Sequence, residues 1–264
     1  GLNGRISKED VKNYVKSAMS LPSDERVIRD KPEFEEFDFS KFGSVNEQSL
    51  TRIQKQVAKN MARNWKAIPH VTQHDDIDVT DLETFRKEME PTLGKLSAVA
   101  FIVKAVTIAL KDFPQLNASL KNDGETLVLK EYIHIGLAVN VKDGLLVPVI
   151  KNADQKGLRE LSYEISRLAD GARDGALSFQ DFSGSSFTVS SLGKLGGTGF
   201  SPIINHPEVA ILGVGRSSDR LMMSEGGVSN RKILPLSLSY DHRVINGVYG
   251  CLLYTSPSPR DLRA

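Results

Sequence analysis

Residues 239–247 read S-Y-D-H-R-V-I-N-G and follow an apolar run at residues 233–238. The run predicts a strand, and the Asn246-Gly247 pair predicts a turn after it. His242 therefore lies where a strand gives way to a turn, between an acidic and a basic residue. A histidine held at a strand end can shuttle a proton near neutral pH, although a lone histidine in a polar loop is more often an ordinary surface residue. This stretch alone leaves both interpretations open.

Further motifs precede this stretch along the chain. They are L-T-R-I-Q-K-Q-V-A-K-N-M from Leu50, I-P-H-V-T-Q from Ile68, F-P-Q-L-N-A-S-L from Phe113, D-G-L-L-V-P-V-I from Asp143, F-T-V-S-S-L-G-K-L-G-G-T-G-F-S-P-I-I-N from Phe187 and P-E-V-A-I-L-G-V-G from Pro207. Together with D-H-R-x-x-[DN]-G they resemble, in order, the dihydrolipoyl acyltransferases, the core subunits of the 2-oxo acid dehydrogenase multienzyme complexes. The resemblance is strongest to the acetyltransferases of bacterial pyruvate dehydrogenase complexes, and the matches span roughly residues 44–248.

The pattern of apolar residues predicts alternating helices and strands, which indicates an α/β fold. The expected helices are Leu50–Lys66, a helix from a capping box at Thr80–Glu83 towards Met89, Leu96–Leu110, and a helix from Leu158 ending near Gly171. The expected strands are Val71–Val79, Thr126–Leu129, Ile133–Val141, Leu145–Ile150, Ser186–Ser190, Val209–Val214 and the run at 233–238, interrupted at Pro235. The resemblance implies a two-layer sandwich with a mixed β-sheet, similar to chloramphenicol acetyltransferase.

Composition excludes several classes of partner. The chain has 264 residues with 34 basic and 33 acidic side chains, a formal net charge of +1. This balance creates no field that would attract nucleic acid or an anionic membrane. The longest apolar run, Leu96–Leu110, is too short to span a bilayer. The single cysteine, Cys251, excludes an intramolecular disulfide and fits a reducing compartment, and the resemblance implies the bacterial cytoplasm.

Four segments of domain organisation are expected. Residues 1–20 resemble the end of a peripheral subunit-binding domain, with a helix starting at Ser7; residues 21–46 read as a charged linker with phenylalanines; residues 47–248 form the acyltransferase catalytic domain; and residues 249–264 form a tail of non-native appearance. In that tail, Pro257 and Pro259 are expected to forbid the terminal helix of the family. Because the first residue is Gly1 and not Met, we expect an upstream part, including lipoyl domains, to be missing.

Two histidines suggest a metal site, which spacing argues against. His70 and His74 share one face of the predicted strand, but a four-residue step on a strand separates them by about 13 Å. One ion cannot bind both side chains at that distance. We therefore expect no metal.

The resemblance assigns chemistry to three residues. His242 is expected to take the proton from the thiol of coenzyme A, which then attacks the thioester of an acylated dihydrolipoyl group carried on a separate domain. Ser190 matches the serine that donates to the oxyanion, although on spacing alone it could be an ordinary strand-end residue. Asn246 stands where most of the family has aspartate, and we expect the change to be tolerated.

The resemblance also assigns supporting roles. Thr198 and Phe200 are expected beside the substrate channel. Arg52 matches the usual ion-pair partner of the aspartate that Asn246 replaces, and an amide cannot form that ion pair. Arg243 is expected to be a structural anchor rather than a catalyst.

The predicted function is transfer of an acetyl group between the dihydrolipoyl thiol and coenzyme A. The resemblance implies homotrimers that build a larger cubic core, with His242 reaching a neighbour's Ser190, and it implies the decarboxylase and dihydrolipoyl dehydrogenase components as partners. Two alternatives remain open. One is a non-catalytic scaffold or core subunit, and the other is a small-molecule acyltransferase of the chloramphenicol acetyltransferase type.

Overall fold

The fold is described by a computed structural model of the chain that covers residues 8–9, 11–13, 16, 37–94, 96–193, 196–224 and 227–254. Internal contacts divide the chain into two compact units, Gly1–Ser49 and Leu50–Ala264. Within the described residues, no helix is long and apolar enough to span a membrane.

The first unit contains short helical pieces. Residues 8–9, 11–13 and 16 are helical, whereas Ser7, where a helix start was predicted, lies outside the described residues. Most of the predicted linker also lies outside them. A 3-10 turn, Phe39–Lys41, follows, and Asp38 caps it by accepting from the Ser40 amide at 3.1 Å. The Phe37 ring lies 5.3 Å from that of Phe39 and 5.6 Å from that of Phe42, measured between centroids.

The second unit contains five α-helices and ten strands among the residues that the structure describes. The helices are α1 (Arg52–Ala67), α2 (Thr80–Leu93), α3 (Ala98–Asp112), α4 (Leu158–Asp174) and α5 (Gly247–Tyr254). The strands are β1 (His70–Asp78), β2 (Ala118–Leu120), β3 (Leu127–Leu129), β4 (Ile135–Val141), β5 (Gly144–Leu146), β6 (Val149–Ile150), β7 (Phe187–Ser191), β8 (Ala210–Val214), β9 (Ser218–Ser224) and β10 (Gly227–Asp241).

The main sheet is mixed. Its strand order is β1-β10-β8-β7-β4-β5, with β6 also paired to β4 and β9 also paired to β10. The pairs β4/β7 and β7/β8 are parallel, and the other pairs of this sheet are antiparallel. Strands β2 and β3 form a separate antiparallel pair. The predicted α/β fold with a mixed sheet is therefore confirmed.

The two faces of the sheet differ in chemistry, as β10 shows. Its residues Leu236, Leu238 and Tyr240 join the large hydrophobic core, which also contains side chains of α3 and α4. The alternate residues are polar: Ser237, Ser239 and Asp241, which are only 1%, 0% and 2% exposed. Successive side chains of a strand point to opposite faces. The helices α3 and α4 thus cover the apolar face, and the polar face is left for a site.

Strand β10 corrects the prediction of an interruption at Pro235. The strand runs unbroken through that residue, because its partner on one side changes there from β9, last paired at Ile233, to β8, first paired at Leu236. The missing amide of Pro235 falls in this gap between partners, and its carbonyl accepts from the Gly215 amide at 2.9 Å.

Two helix predictions need correction. Helix α4 runs past Gly171 to Asp174, and Gly175 follows as its C-cap with a φ of 67°, a left-handed conformation that glycine favours. The capping box expected at Thr80–Glu83 is absent. Thr80 is already helical and its hydroxyl donates to Asp78, whereas the Glu83 carboxylate binds Arg86.

The tail also differs from expectation, because residues 247–254 form helix α5. Tyr249, Leu253 and Tyr254 pack against the core. The Tyr254 hydroxyl donates to the Gln73 carbonyl at 3.0 Å and accepts from the Leu238 amide at 2.8 Å. Pro257 and Pro259 follow this helix in sequence and lie outside the described residues, so they do not prevent it.

Gly136 on β4 provides a test of the packing between the central strands. A Cβ at this position would lie 2.7 Å from the Thr188 hydroxyl, 2.8 Å from that of Ser185 and 2.9 Å from Val147. We expect Gly136→Ala to lower the free energy of unfolding by about 1–3 kcal/mol, the usual cost of overpacking. Gly43→Ala is the control, because nothing lies within 4 Å of its Cβ position. Urea unfolding curves that coincide for wild type and Gly136→Ala would contradict this packing.

Candidate active site

His242 is the first residue after β10, and its backbone is fixed while its side chain is exposed. Its amide donates to the Pro69 carbonyl at 3.0 Å, just before β1 begins. Its ring centroid lies 6.0 Å from that of the buried Tyr240. A solvent-exposed imidazole on a fixed backbone can exchange protons with a bound thiol.

The residues on either side of His242 hold each other. Arg243 donates from Nε to Asp241 Oδ1 at 3.0 Å and from Nη2 to Oδ2 at 2.6 Å, and its amide also donates to Oδ1 at 3.0 Å. The hydrogen bond to the buried Asp241 raises the pKa of Arg243. This two-pronged contact fixes the chain around His242, which is the geometry of an anchoring residue.

Asn246 caps α5. Its Oδ1 accepts from the Tyr249 amide at 2.8 Å, which satisfies one of the unpaired amides at the start of the helix. Arg52 is exposed at the start of α1, and within the part of the chain that the structure describes it forms no hydrogen bond or ion pair with Asn246. The asparagine therefore has a local role that does not require the charge of an aspartate.

Ser190 lies on β7 in a row that crosses the sheet. Its register partners are Ala138 on β4 and Gly213 on β8, and Gly213 is in turn the partner of Ser237 on β10. His242 lies five residues beyond Ser237 along the strand direction. That step is about 16 Å at the rise of an extended strand. A single chain therefore does not bring Ser190 and His242 together.

Phe200 lies over this row. A Cβ at Gly213 would be 2.8 Å from the Phe200 ring, so the ring occupies the space that a side chain at Gly213 would fill. The backbone amide of Phe200 donates to Ser237 Oγ at 3.4 Å, and His74 Nδ1 contacts the same hydroxyl at 2.8 Å. Thr198 lines a nearby cavity of about 360 Å³ together with His74, Asp75, Asp76, Arg220, Pro235 and Leu236. Phe200 and Thr198 thus lie on the side of Ser190 and not beside His242.

The two histidines that suggested a metal have other contacts. His70 Nδ1 contacts the Ile68 carbonyl at 2.7 Å, and its Nε2 accepts from the Ile204 amide at 2.9 Å. Both ring nitrogens of His70 therefore have hydrogen-bond partners, and these contacts connect β1 to the loop before β8. Among the residues that the structure describes, no group of three or more His, Cys, Asp or Glu side chains could hold a metal ion.

Sequence reasoning missed Glu208, which lies two residues before β8 begins and is 2% exposed. Burial raises its pKa to about 7, while the Thr188, Ser185 and Asn205 side chains and the charge of Lys130 oppose the rise. Its Oε1 accepts from Asn205 Nδ2 at 3.2 Å. No spacing rule distinguishes this glutamate from a surface residue in the sequence.

The raised pKa of Glu208 predicts a pH-dependent stability. A carboxyl group whose folded-state pKa lies above its unfolded value costs stability as it ionises, so the wild type should weaken relative to Glu208→Gln as pH rises from about 5 to about 8. The change in the difference between the two proteins should be on the order of 2 kcal/mol. Urea unfolding at both pH values measures it. A difference that is constant, or that favours the wild type at the higher pH, would contradict the buried carboxyl.

Comparison with known proteins places the chain in a family. Residues 42–252 match the 2-oxoacid dehydrogenases acyltransferase (catalytic domain). The dihydrolipoyllysine-residue acetyltransferase component of the pyruvate dehydrogenase complex of Cupriavidus necator is 48% identical, covering 94% of this chain and 47% of that protein. The corresponding component of Haemophilus influenzae is 44% identical, covering 100% of this chain and 50% of that protein. The chain spans about half the length of these relatives.

Solved structures of the same family have a similar fold. That of the Azotobacter vinelandii dihydrolipoamide acetyltransferase has a TM-score of 0.82 at 43% identity, covering 85% of this chain and 94% of that one. It was determined to investigate a serine, a histidine and an asparagine in the catalytic mechanism, of which the histidine follows the serine by 52 residues and the asparagine follows the histidine by four. The cubic core of a pyruvate dehydrogenase multienzyme complex gives a TM-score of 0.83 at 44% identity, with coverage of 85% and 94%. The chain belongs to the 2-oxoacid dehydrogenase acyltransferase family and carries its catalytic domain.

Proposed function

We propose that this chain transfers an acetyl group between a dihydrolipoyl thiol and coenzyme A, as the core of a pyruvate dehydrogenase complex. One observation carries the proposal. His242 follows Ser190 by 52 residues and Asn246 follows His242 by four, the same intervals as those of the three residues studied in the Azotobacter vinelandii acetyltransferase. Equal spacing across a shared fold favours equal positions in the site.

His242 acts as the general base. A free thiol with a pKa near 8.5 is mostly protonated at neutral pH, so it needs a base to become a nucleophile. His242 takes the proton from the thiol of coenzyme A, and the thiolate attacks the acetyl carbonyl of the dihydrolipoyl thioester. When the intermediate collapses, the carbon–sulfur bond to the dihydrolipoyl group breaks, and the imidazolium returns the proton to the departing sulfur.

Ser190 donates its hydroxyl proton in a hydrogen bond to the oxyanion of the tetrahedral intermediate. Because a step of about 16 Å along the strand direction separates its row from His242, the proposed site combines His242 of one copy with Ser190 of another. A homotrimer provides three such sites, and trimers would build a larger cubic core. The register of β7, β8 and β10 supports this arrangement.

The remaining residues position the reacting groups. Arg243 anchors the turn through the buried Asp241, and Asn246 fixes the start of α5. Phe200 and Thr198 contact the substrate beside Ser190. The exposed His242 and the half-buried Ser190 leave both groups accessible to substrates.

The partners follow from the reaction. The lipoyl group is carried on a separate domain, the decarboxylase component supplies it in acetylated form, and the dihydrolipoyl dehydrogenase component reoxidises it. The bacterial relatives are components of this complex, which favours the bacterial cytoplasm as the compartment.

The test is an acceptor comparison with acetyl coenzyme A as donor. We expect acetyl transfer to dihydrolipoamide and only background transfer to chloramphenicol. Transfer to chloramphenicol but not to dihydrolipoamide would indicate a small-molecule acyltransferase. Background rates with both acceptors from a folded, assembled protein would indicate a non-catalytic scaffold.

A further inference from the structure

Ser237, which has no role in the mechanism proposed above, lies at the centre of a contact group that includes the backbone of Phe200. It is buried on the polar face of the sheet, with 1% of its surface exposed. Two groups meet at its hydroxyl, the backbone amide of Phe200 and Nδ1 of His74. The hydroxyl can accept the amide proton and donate its own to Nδ1, which uses both of its capacities.

The loop before Phe200 lies against the same pair. A Cβ at Gly199 would be 3.3 Å from His74 Nδ1 and 3.6 Å from Ser237 Oγ, so there is little room between this backbone and the two side chains. The ring that follows fills the space above Gly213. Because Gly213 is the register partner of both Ser190 and Ser237, the ring stands between the two serines.

We propose that Ser237 and His74 are positioning residues, which hold the Phe200 ring beside Ser190 and thereby set the affinity for the dihydrolipoyl substrate. This inference rests on the proposed function. The dihydrolipoyl group presents a hydrocarbon chain, which gains by contact with an apolar ring, whereas much of coenzyme A is polar or charged. Loss of the Ser237 hydroxyl would leave the Phe200 amide without its acceptor and free the loop to move.

A neighbouring pair on the same two strands provides the control. Ser239 is 0% exposed, and its hydroxyl contacts that of Thr72 on β1 at 2.7 Å. Ser239 therefore matches Ser237 in residue type, burial, strand and in having a side-chain partner on β1. Its hydroxyl bonds Thr72 and not the loop of Phe200.

The first measurement is hydrogen exchange of the Phe200 amide in the assembled protein. We expect Ser237→Ala to increase its exchange rate at least tenfold, and Ser239→Ala to leave it within twofold of wild type, estimates that follow from loss of one amide acceptor. This measurement requires no activity. If it succeeds while wild type transfers no acetyl group, the proposed function fails and the structural part of this inference remains.

The second measurement is steady-state kinetics. We expect Ser237→Ala and His74→Ala to raise KM for dihydrolipoamide at least fivefold, with kcat and KM for acetyl coenzyme A within about twofold, because only ground-state binding of one substrate is affected. Ser237→Thr, which keeps a hydroxyl, should restore KM towards wild type. Ser239→Ala should behave as wild type.

A double variant identifies the route of the effect. If Ser237 acts through the ring, Ser237→Ala should add nothing to the KM of Phe200→Ala, since the ring that it holds is already absent. Additive effects of the two substitutions would overturn the inference. So would unchanged KM and unchanged amide exchange in a folded Ser237→Ala protein, or equal effects from Ser237→Ala and Ser239→Ala.

Discussion

His242→Ala is expected to lower kcat for acetyl transfer by about 10²–10⁴, the usual contribution of a positioned general base. The backbone amide of His242 donates a hydrogen bond to the Pro69 carbonyl, which an alanine amide would also donate, and the side chain is exposed. The substitution should therefore remove the base without unfolding the strand end. Initial rates at saturating acetyl coenzyme A and dihydrolipoamide measure the effect.

A variant of a second histidine is the control for the effect of replacing any histidine in the chain. His134 precedes β4, far along the chain from the turn after β10, and His134→Gln keeps a polar side chain of similar reach. It should retain wild-type kcat. A His242→Ala protein that melts at the wild-type temperature and keeps more than a tenth of wild-type kcat would exclude His242 as the base, since the expected loss is at least about 10².

Ser190→Ala is the second large expected effect, a loss in kcat of about 10²–10³ from removal of one oxyanion donor. The neighbouring Ser191 is a matched control. It is the next residue of β7, so its side chain points to the opposite face of the sheet, where its Oγ accepts from the Gly193 amide at 3.3 Å.

We expect Ser191→Ala to retain most of the activity while Ser190→Ala loses it. The same initial-rate assay compares them. If Ser191→Ala loses more activity than Ser190→Ala, the assignment of the oxyanion donor to Ser190 is wrong. Equal activity in both variants and wild type would mean that neither hydroxyl stabilises the transition state.

Local pattern was sufficient for much of the fold. The alternation from Ile133 to Val141 predicted β4, and the Lys142-Asp143-Gly144 sequence after it is typical of the tight turn that the β4/β5 hairpin contains. The apolar residues of α4 repeat every three or four positions, so its buried face was predictable, including Leu161, Ile165 and Leu168. In these elements local preference and tertiary packing agree.

Other features depend on partners that a sequence pattern does not show. Pro235 suggested a break, but whether a proline interrupts a strand depends on which strand faces its missing amide. The capping box at Thr80–Glu83 failed because Asp78 and Arg86 compete for its side chains. The strand β9 was not predicted, and within the main sheet it pairs with the first part of β10, up to Ile233.

The residues proposed to carry the chemistry could be selected from the sequence, whereas several residues that pack around them could not. The motif around His242 and the spacing to Ser190 could be found in the sequence. The alternation of Ser237, Ser239 and Asp241 with apolar residues was also present, and it was the available signal for a polar face opposite the core. Glu208 and the contact between Ser237 and Phe200 arise only when segments distant in sequence are folded together.

The central claim is that one copy supplies His242 and another supplies Ser190. The most direct test is co-expression of the Ser190→Ala and His242→Ala chains with different tags, followed by purification of oligomers that carry both tags. Each inactive parent keeps the residue that the other lacks, so every trimer that contains both chains has one complete site of its three, and a shared site predicts recovery to about a third of wild-type activity. Mixed oligomers no more active than the two parents would contradict the shared site.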